Sequence, residues 1–304
     1  ASLFTLVENA QVAIWAYALL GGLAWTTPNY NFQPDEQTPL ATIENGLASN
    51  NDVEVKEGDR VWDASGSPVE LKSGVQVQDA TGKVVEFGGT PATMKQLVVD
   101  YVFDERLTWS DGEPVKQADY ELAYKINCNR ESGATTFITC DQVQDVEFKS
   151  NGLHVTYLPG VQTPTYFAAT LPFGFYPAHR VLSDGRKLAD VPASEWATLP
   201  EIAESPIDVG PYILKEWVKG EKMVFEANSH YYKGAPKTQN IVIAFITPEN
   251  AEAQLIGGQV DVLDFTTLVG VTESLKNAAD AGQIKLLVNA SGSWEHIDMN
   301  LFLP

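Results

Sequence analysis

Hydrophobic and polar positions along the chain change period several times, and each change predicts an element. Gln96–Phe103 (QLVVDYVF) alternates apolar and polar residues, the pattern of a half-buried strand. Gln117–Ile126 places Ala118, Leu122, Ala123 and Ile126 on one helical face. Three hairpins are expected: Val75–Phe87 about a turn at Asp79–Gly82, Val143–Phe148 with Leu153–Leu158 about Ser150-Asn151-Gly152, and Tyr212–Trp217 with Met223–Asn228 about Lys219-Gly220. Further strands are expected at Asp52–Lys56, Ile241–Ile246, Val260–Phe265 and His296–Phe302. Helices are expected at Gln11–Trp25, Pro164–Leu171, Pro248–Ile256 and Thr272–Ala281, the last stopped by Gly282. The turn formers of 26–39 (TTPNYNFQPDEQTP) predict an exposed loop, and no internal repeat or low-complexity tract is recognised. Strand pairs interspersed with helices predict a mixed α+β (α/β) class, not a regular βαβ series.

Charge narrows the partners. The 304 residues hold 40 Asp and Glu against 20 Lys and Arg, a formal charge of −20. Such a surface repels phosphate, which excludes nucleic-acid binding by charge neutralisation and counts against adhesion to an anionic bilayer. The apolar stretch Gln11–Trp25 is shorter than the roughly 20 residues a spanning helix needs. No basic residue precedes Lys56, so the N-terminus lacks the basic region of a signal peptide: a leader has been removed or there was none. Cys128 and Cys140 sit close together around a polar, Gly-containing segment. The spacing favours a disulfide, and with it an oxidising compartment, over a pair of buried thiols.

Catalytic patterns are not found. His154, His179, His230 and His296 are far apart and off metal-ligand spacing, and nucleophile-elbow, phosphate-loop and dinucleotide motifs are missing. Glu201/Glu204 and Asp261/Asp264 are acid pairs of the kind that 40 carboxylates produce by chance. No enzyme activity and no cofactor are therefore expected. An extracellular hydrolase using Asp261 and Asp264 is the weaker alternative. Aromatic residues beside turns, among them Trp25, Trp109, Phe137, Phe173, Phe175 and Trp294, divide between core packing and the rings of a ligand cleft.

Five blocks in order carry a resemblance. Leu107–Val115 (LTWSDGEPV) followed by Asp119 resembles the W-S-D-G-x-P-[VIL]-x-x-x-D segment of extracellular solute-binding proteins, family five, of the peptide/nickel class. FGFYPAH (Phe173–His179), PIDVGPY (Pro206–Tyr212), NSHYYKGAP (Asn228–Pro236) and AEAQLIGGQVDV (Ala251–Val262) are similar to later blocks of that family. Asp208 and Val209 stand where the family has Gly and Thr, Tyr232 where it has Trp, and Gln259 where it has Glu.

The resemblance implies the lobe of a periplasmic-binding-protein-like fold with mixed sheets, part of a class II two-lobed clamp whose second lobe is mostly absent. Residues 1–265 would be lobe I, and 266–304 the hinge crossover and the start of lobe II. The implied function is the binding component of an ABC-type importer. It would capture a small ligand, peptide by default, and hand it to a membrane permease from the periplasm or cell surface, with a lipid anchor through a removed N-terminal segment. A ligand-sensing module for a membrane receptor is the alternative from another class. Phe137, Phe265, Thr266 and Trp294 are the expected ligand-facing residues, with Trp25 and Trp109 behind them. An apolar cleft on a single lobe would also favour self-association.

Overall fold

The computed structural model of the chain describes residues 19–21, 24–26, 32–168, 174–263, 267–268 and 270–288. Two compact units divide it, Ala1–Ile243 and Ala244–Pro304.

In the first unit, β1 (Ala24–Thr26) pairs antiparallel with β2 (Phe32–Pro34). The helix expected through Trp25 therefore ends earlier: Leu19 and Leu20 are helical, Gly21 leaves helical geometry at φ 145°, and Trp25 lies in a strand. Residues 1–18, which include most of that expected helix, lie outside the described residues. The expected exposed loop is also different. Asp35, Glu36 and Gln37 are 3%, 2% and 1% exposed. Burial of Asp35 is compensated by the Tyr232 hydroxyl, which donates to its Oδ1 at 2.7 Å, and by Lys233 Nζ.

β3 (Ala48–Val55) leads into two small hairpins, β4 (Arg60–Trp62) with β5 (Pro68–Glu70) and β6 (Gln76–Gln78) with β7 (Val84–Glu86). They are a tandem repeat, which corrects the expectation that none exists. Asp63-Ala64-Ser65-Gly66 recurs as Asp79-Ala80-Thr81-Gly82. Asp63 Oδ1 accepts from the backbone of Ser65 and Ser67 and from the Ser65 hydroxyl. Asp79 Oδ1 accepts from the backbone of Thr81 and Lys83 and from the Thr81 hydroxyl. Leu71 and Phe87 fill equivalent places in a shared core with Val55, Val61, Val77 and Met94. The sequence itself carries the repeat: Gly58, Val61, Val69, Glu70 and Leu71 recur as Gly74, Val77, Val85, Glu86 and Phe87, at the same spacing as Asp63 and Asp79.

β8 (Ala92–Val102) returns along β3, so the hairpin pair occupies the loop of a long β3–β8 hairpin, with Val55 opposite Ala92. α1 (Gln117–Asn127) follows, then the short α2 (Ile138–Asp141) and the hairpin of β9 (Val143–Lys149) and β10 (Gly152–Tyr157). The main sheet has the order β3-β8-β10-β9, with antiparallel pairings throughout. Its alternating inward positions Leu97, Val99, Tyr101, Leu153, Val155 and Tyr157 form the principal core. α1 buries Asp119, Tyr120, Leu122, Ala123 and Ile126. Asp119 and Tyr120 therefore hold the place on the inner face expected for Ala118, which is exposed.

Leu122 and Ile126 also seal a second cluster with Leu188, Val191, Trp196 and Ile202, contributed by 3-10 turns and by α3 (Pro200–Ala203). The expected helix at 164–171 is a 3-10 turn at Tyr166–Ala168, with 169–173 outside the described residues. β11 (Tyr212–Val218), β12 (Lys222–Ala227) and β13 (Asn240–Ala244) form a second sheet.

In the second unit, α4 (Pro248–Ile256) and α5 (Glu273–Asp280) pack together. Thr272 caps α5, its hydroxyl accepting from the Leu275 N–H at 3.2 Å. The expected strand at Val260–Phe265 does not form over its described residues: 260–263 lack strand structure and Val262 is 82% exposed. Its alternation is strand-like, but a strand exists only where a neighbour accepts its backbone hydrogen bonds. The expected strand His296–Phe302 lies outside the described residues.

Gly160 joins the repeat to the main sheet. Its φ is +96°, and a Cβ there would lie 2.5 Å from the Trp62 carbonyl oxygen and 2.8 Å from Met94 Cε. At Gly66, φ is +83° with open space around it. Gly160→Ala should cost about 3 kcal/mol in urea unfolding and Gly66→Ala about 1 kcal/mol, the left-handed backbone penalty alone. Equal costs would show that the contact with Trp62 does not constrain the insert.

Candidate ligand-binding site

The chemistry starts at the turn Trp109–Glu113. The Gly112 N–H donates to the Trp109 carbonyl at 2.9 Å and the Trp109 N–H to that of Glu113 at 2.8 Å, while Gly112 adopts φ +94°. The turn is then held by groups from distant parts of the chain. The Ser110 N–H donates to the Asp208 carbonyl at 2.9 Å. Asp111 Oδ2 lies 2.9 Å from His179 Nε2. His230 Cε1 would be 3.2 Å from a Cβ on Gly112, so the ring covers the glycine. Asn228, fully buried, fixes that ring's backbone: its Oδ1 accepts from His230 N and its Nδ2 donates to the Gly210 carbonyl.

Asp119 closes the arrangement. At 2% exposure its Oδ2 accepts from Trp109 Nε1 at 3.0 Å and Lys116 N at 2.8 Å, and its Oδ1 from Ala178 N at 2.8 Å. Trp109 is 0% exposed. That placement corrects the expectation of Trp109 as a ligand-facing ring: its indole N–H is taken by Asp119 and its ring is enclosed by the core.

Asp208 is crowded by protein while keeping some access to water. Desolvation raises its carboxyl to about 7, against one compensating hydrogen bond from the Val209 N–H at 2.9 Å. Asp111 behaves oppositely: its contact with His179 and the Glu113 N–H outweigh burial and lower it.

The loop between α1 and α2 carries Phe137, the described residue that the resemblance led one to expect beside a ligand. Cys128 and Cys140 form a disulfide with Cα atoms 5.6 Å apart, which settles the open question between bonded and free thiols. Within the closed loop, the Arg130 guanidinium carbon sits 4.3 Å from the centre of the Phe137 ring, and its Nη2 is bound to Asp141. Phe137 is half-buried and Ile138 beside it is exposed, so the loop presents a ring edge, an aliphatic side chain and a guanidinium. Sequence reasoning missed Arg130; a cation seven residues from an aromatic inside a closed loop is a weak signal.

Trp25 lies in β1 with its side chain outside the described residues, as are Phe265, Thr266 and Trp294 entirely. The acid pairs separate: Glu201 accepts from Ser183 N at 2.9 Å, Glu204 pairs with Lys219 at 3.1 Å, and Asp261 is exposed with Asp264 outside the described residues. No helix among the described residues is long and apolar enough to cross a membrane.

Residues 97–301 match the family model for bacterial extracellular solute-binding proteins, family 5 Middle. A probable ABC transporter-binding protein of Deinococcus radiodurans is 26% identical over 208 residues, covering 63% of this chain and 35% of that protein. The oligopeptide-binding protein of Thermus thermophilus, solved with a pentapeptide, superposes at TM-score 0.64 with 16% identity, covering 91% of this chain and 44% of that one. AppA of Bacillus subtilis, solved with a nonapeptide, superposes at TM-score 0.58 with 17% identity, covering 86% and 41%. The chain spans about a third of the length of the curated relatives it matches. The structural likeness is to the fold of periplasmic binding proteins, as the motif order implied.

Two consequences are measurable. Asp119→Ala should lower stability by about 3–5 kcal/mol by stranding buried donors, and Trp109→Phe by about 1–2 kcal/mol. Comparable losses would remove Asp119 from the centre of the arrangement. Asp208 has its carboxyl raised in the fold, so its contribution is complete below the unfolded value near 3.8 and is lost as pH rises through about 7. Asp208→Asn should therefore gain stability relative to the parent protein as pH rises from acid to neutral. A pH-independent difference in chemical denaturation would contradict that origin.

Proposed function

The chain belongs to the bacterial extracellular solute-binding proteins of family 5, and from that premise we propose that it is the substrate-binding part of an ABC-type importer, with a peptide as ligand. The observation that carries this reading is the mutual contact of the family's blocks. The Trp109–Glu113 turn touches Asp208, His179 and His230, one from each of three later blocks. Those residues act as scaffold and leave binding to other surfaces.

In this reading residues 1–265 form lobe I and 266–304 begin the crossing to a second lobe. The ligand lies between the lobes against Phe137, Phe265, Thr266 and Trp294, with Trp25 a further candidate. Closure on the ligand presents the complex to a membrane permease. Binding uses ring faces and backbone hydrogen bonds and makes no covalent change. The protein works outside the cytoplasm, where the Cys128–Cys140 disulfide persists, and a lipid anchor keeps it at the membrane. The charge of −20 keeps the exposed faces solvated there.

A thermal-shift screen of the protein against short peptides, sugars and metal chelates tests the ligand class, since a ligand that binds only the folded state raises the midpoint as occupancy rises. Peptides should shift it, and Phe137→Ala should weaken the effective peptide about tenfold. Shifts confined to sugars or chelates would overturn the peptide assignment.

A further inference from the structure

We infer that Asp141 sets the charge of the ligand accepted beside Phe137: by neutralising Arg130 it leaves a guanidinium that binds an uncharged carbonyl oxygen and rejects a carboxylate. In the importer reading, on which this rests, the loop between α1 and α2 lies against a peptide. Asp141 then selects which peptide residues fit there.

Arg130 is the single Lys or Arg of residues 128–141. Its side chain is 61% exposed, yet it is held on two sides. The guanidinium lies over the Phe137 ring, and Nη2 is bound to Asp141, the last residue of α2, whose side chain is 25% exposed. The loop beneath is fixed by the disulfide and by buried Ser132. The Ser132 N–H donates to the Asn129 carbonyl at 3.0 Å, and its hydroxyl accepts from the Ala134 N–H at 3.3 Å. An exposed arginine usually loses its rotamer freedom on binding a ligand; Arg130 has lost much of it beforehand.

Apart from the bond to Asp141, the guanidinium N–H groups have no acceptor among the described residues. Arginine carries five such hydrogens, so donors remain for a ligand oxygen. Charge decides which oxygen. Glu131 follows Arg130 in the chain and is exposed. Residues 128–141 therefore set one positive charge against the two acids Glu131 and Asp141, within a chain of formal charge −20. An arriving carboxylate meets a guanidinium whose charge is already answered, with a second acid nearby. A backbone carbonyl takes the same hydrogen bond without that repulsion. The Phe137 ring and exposed Ile138 favour an uncharged side chain beside that carbonyl.

Pentaalanine is the probe, with single-glutamate and single-glutamine versions at each position, titrated calorimetrically at low salt. Glutamate and glutamine differ in charge and hardly in size, so the ratio of their affinities isolates charge. At one position glutamate should bind about fivefold more weakly than glutamine. Salt at about 1 M, where screening acts within ~3 Å, should erase that difference. In Asp141→Asn the penalty at that position should vanish or invert, with the other positions unchanged. Glu131→Gln removes the same formal charge without freeing Arg130 and should keep most of the penalty. Arg130→Met, which keeps an apolar chain over Phe137 but no donors, should weaken pentaalanine several-fold. No binding by any member of the series would overturn the peptide reading and this assignment together. Peptide binding without a glutamate penalty, a penalty unchanged in Asp141→Asn, or one lost equally in Glu131→Gln would overturn the role of Asp141 alone.

Discussion

A carboxylate held at 2% exposure must be surrounded by hydrogen-bond donors, and Asp119 draws its donors from three stretches of chain. Trp109 Nε1 comes from the turn before α1, Lys116 N from the start of α1, and Ala178 N from far beyond it. The Asp119 carbonyl adds a fourth tie, accepting from Tyr176 N at 3.1 Å. Breaking any of the three bonds to the carboxylate leaves a buried acidic group short of a donor, so the turn, the helix and the later segment are held to one geometry together. The second cluster depends on it as well, because Leu122 and Ile126 reach Trp196 and Ile202 only from a correctly placed α1.

This constraint explains what the signature residues are for. Gly112 accommodates His230 against its backbone, Asp111 meets His179, and Ser110 meets the Asp208 carbonyl. Each is fixed by packing or hydrogen bonding inside the lobe. Under the proposed function, chemical variation in the ligand is met on surfaces such as the loop closed by Cys128–Cys140, where Phe137 and Arg130 are positioned by a covalent link and by Asp141. A rigid frame that carries variable loops is a common division of labour in binding proteins.

Elements with strong local signals were legible in the sequence. The alternation of 96–103 became the inner part of β8, and Pro at the start with Gly at the end bounded Pro248–Ile256. The Cys128–Cys140 pair and the family's block order were also readable. What was not legible depended on distant partners. Trp109 resembles a cleft aromatic until Asp119 is seen to take its indole N–H, and Val260–Leu263 reads as a strand until no neighbour pairs with it. The repeated hairpins are a different case, because Val61, Asp63, Gly66, Val69 and Leu71 recur at constant spacing as Val77, Asp79, Gly82, Val85 and Phe87 and the repeat is written in the sequence itself.

The sequence by itself determined the class of fold, the order of most elements and the family, and it favoured the bridge between the two cysteines that the fold then closes. Tertiary structure alone decided which polar residues go inside. Asp35, Glu36 and Gln37 sit in a stretch composed like an exposed loop, and Asp35 is buried because Tyr232, 197 residues away, donates to it. Backbone periodicity is a property of neighbours along the chain, whereas the cost of burying a carboxylate or an amide is set by whichever groups the fold brings against it. The same rule separates Asn50, whose Oδ1 takes no hydrogen bond from a described residue, from Asn228, whose side-chain atoms are paired.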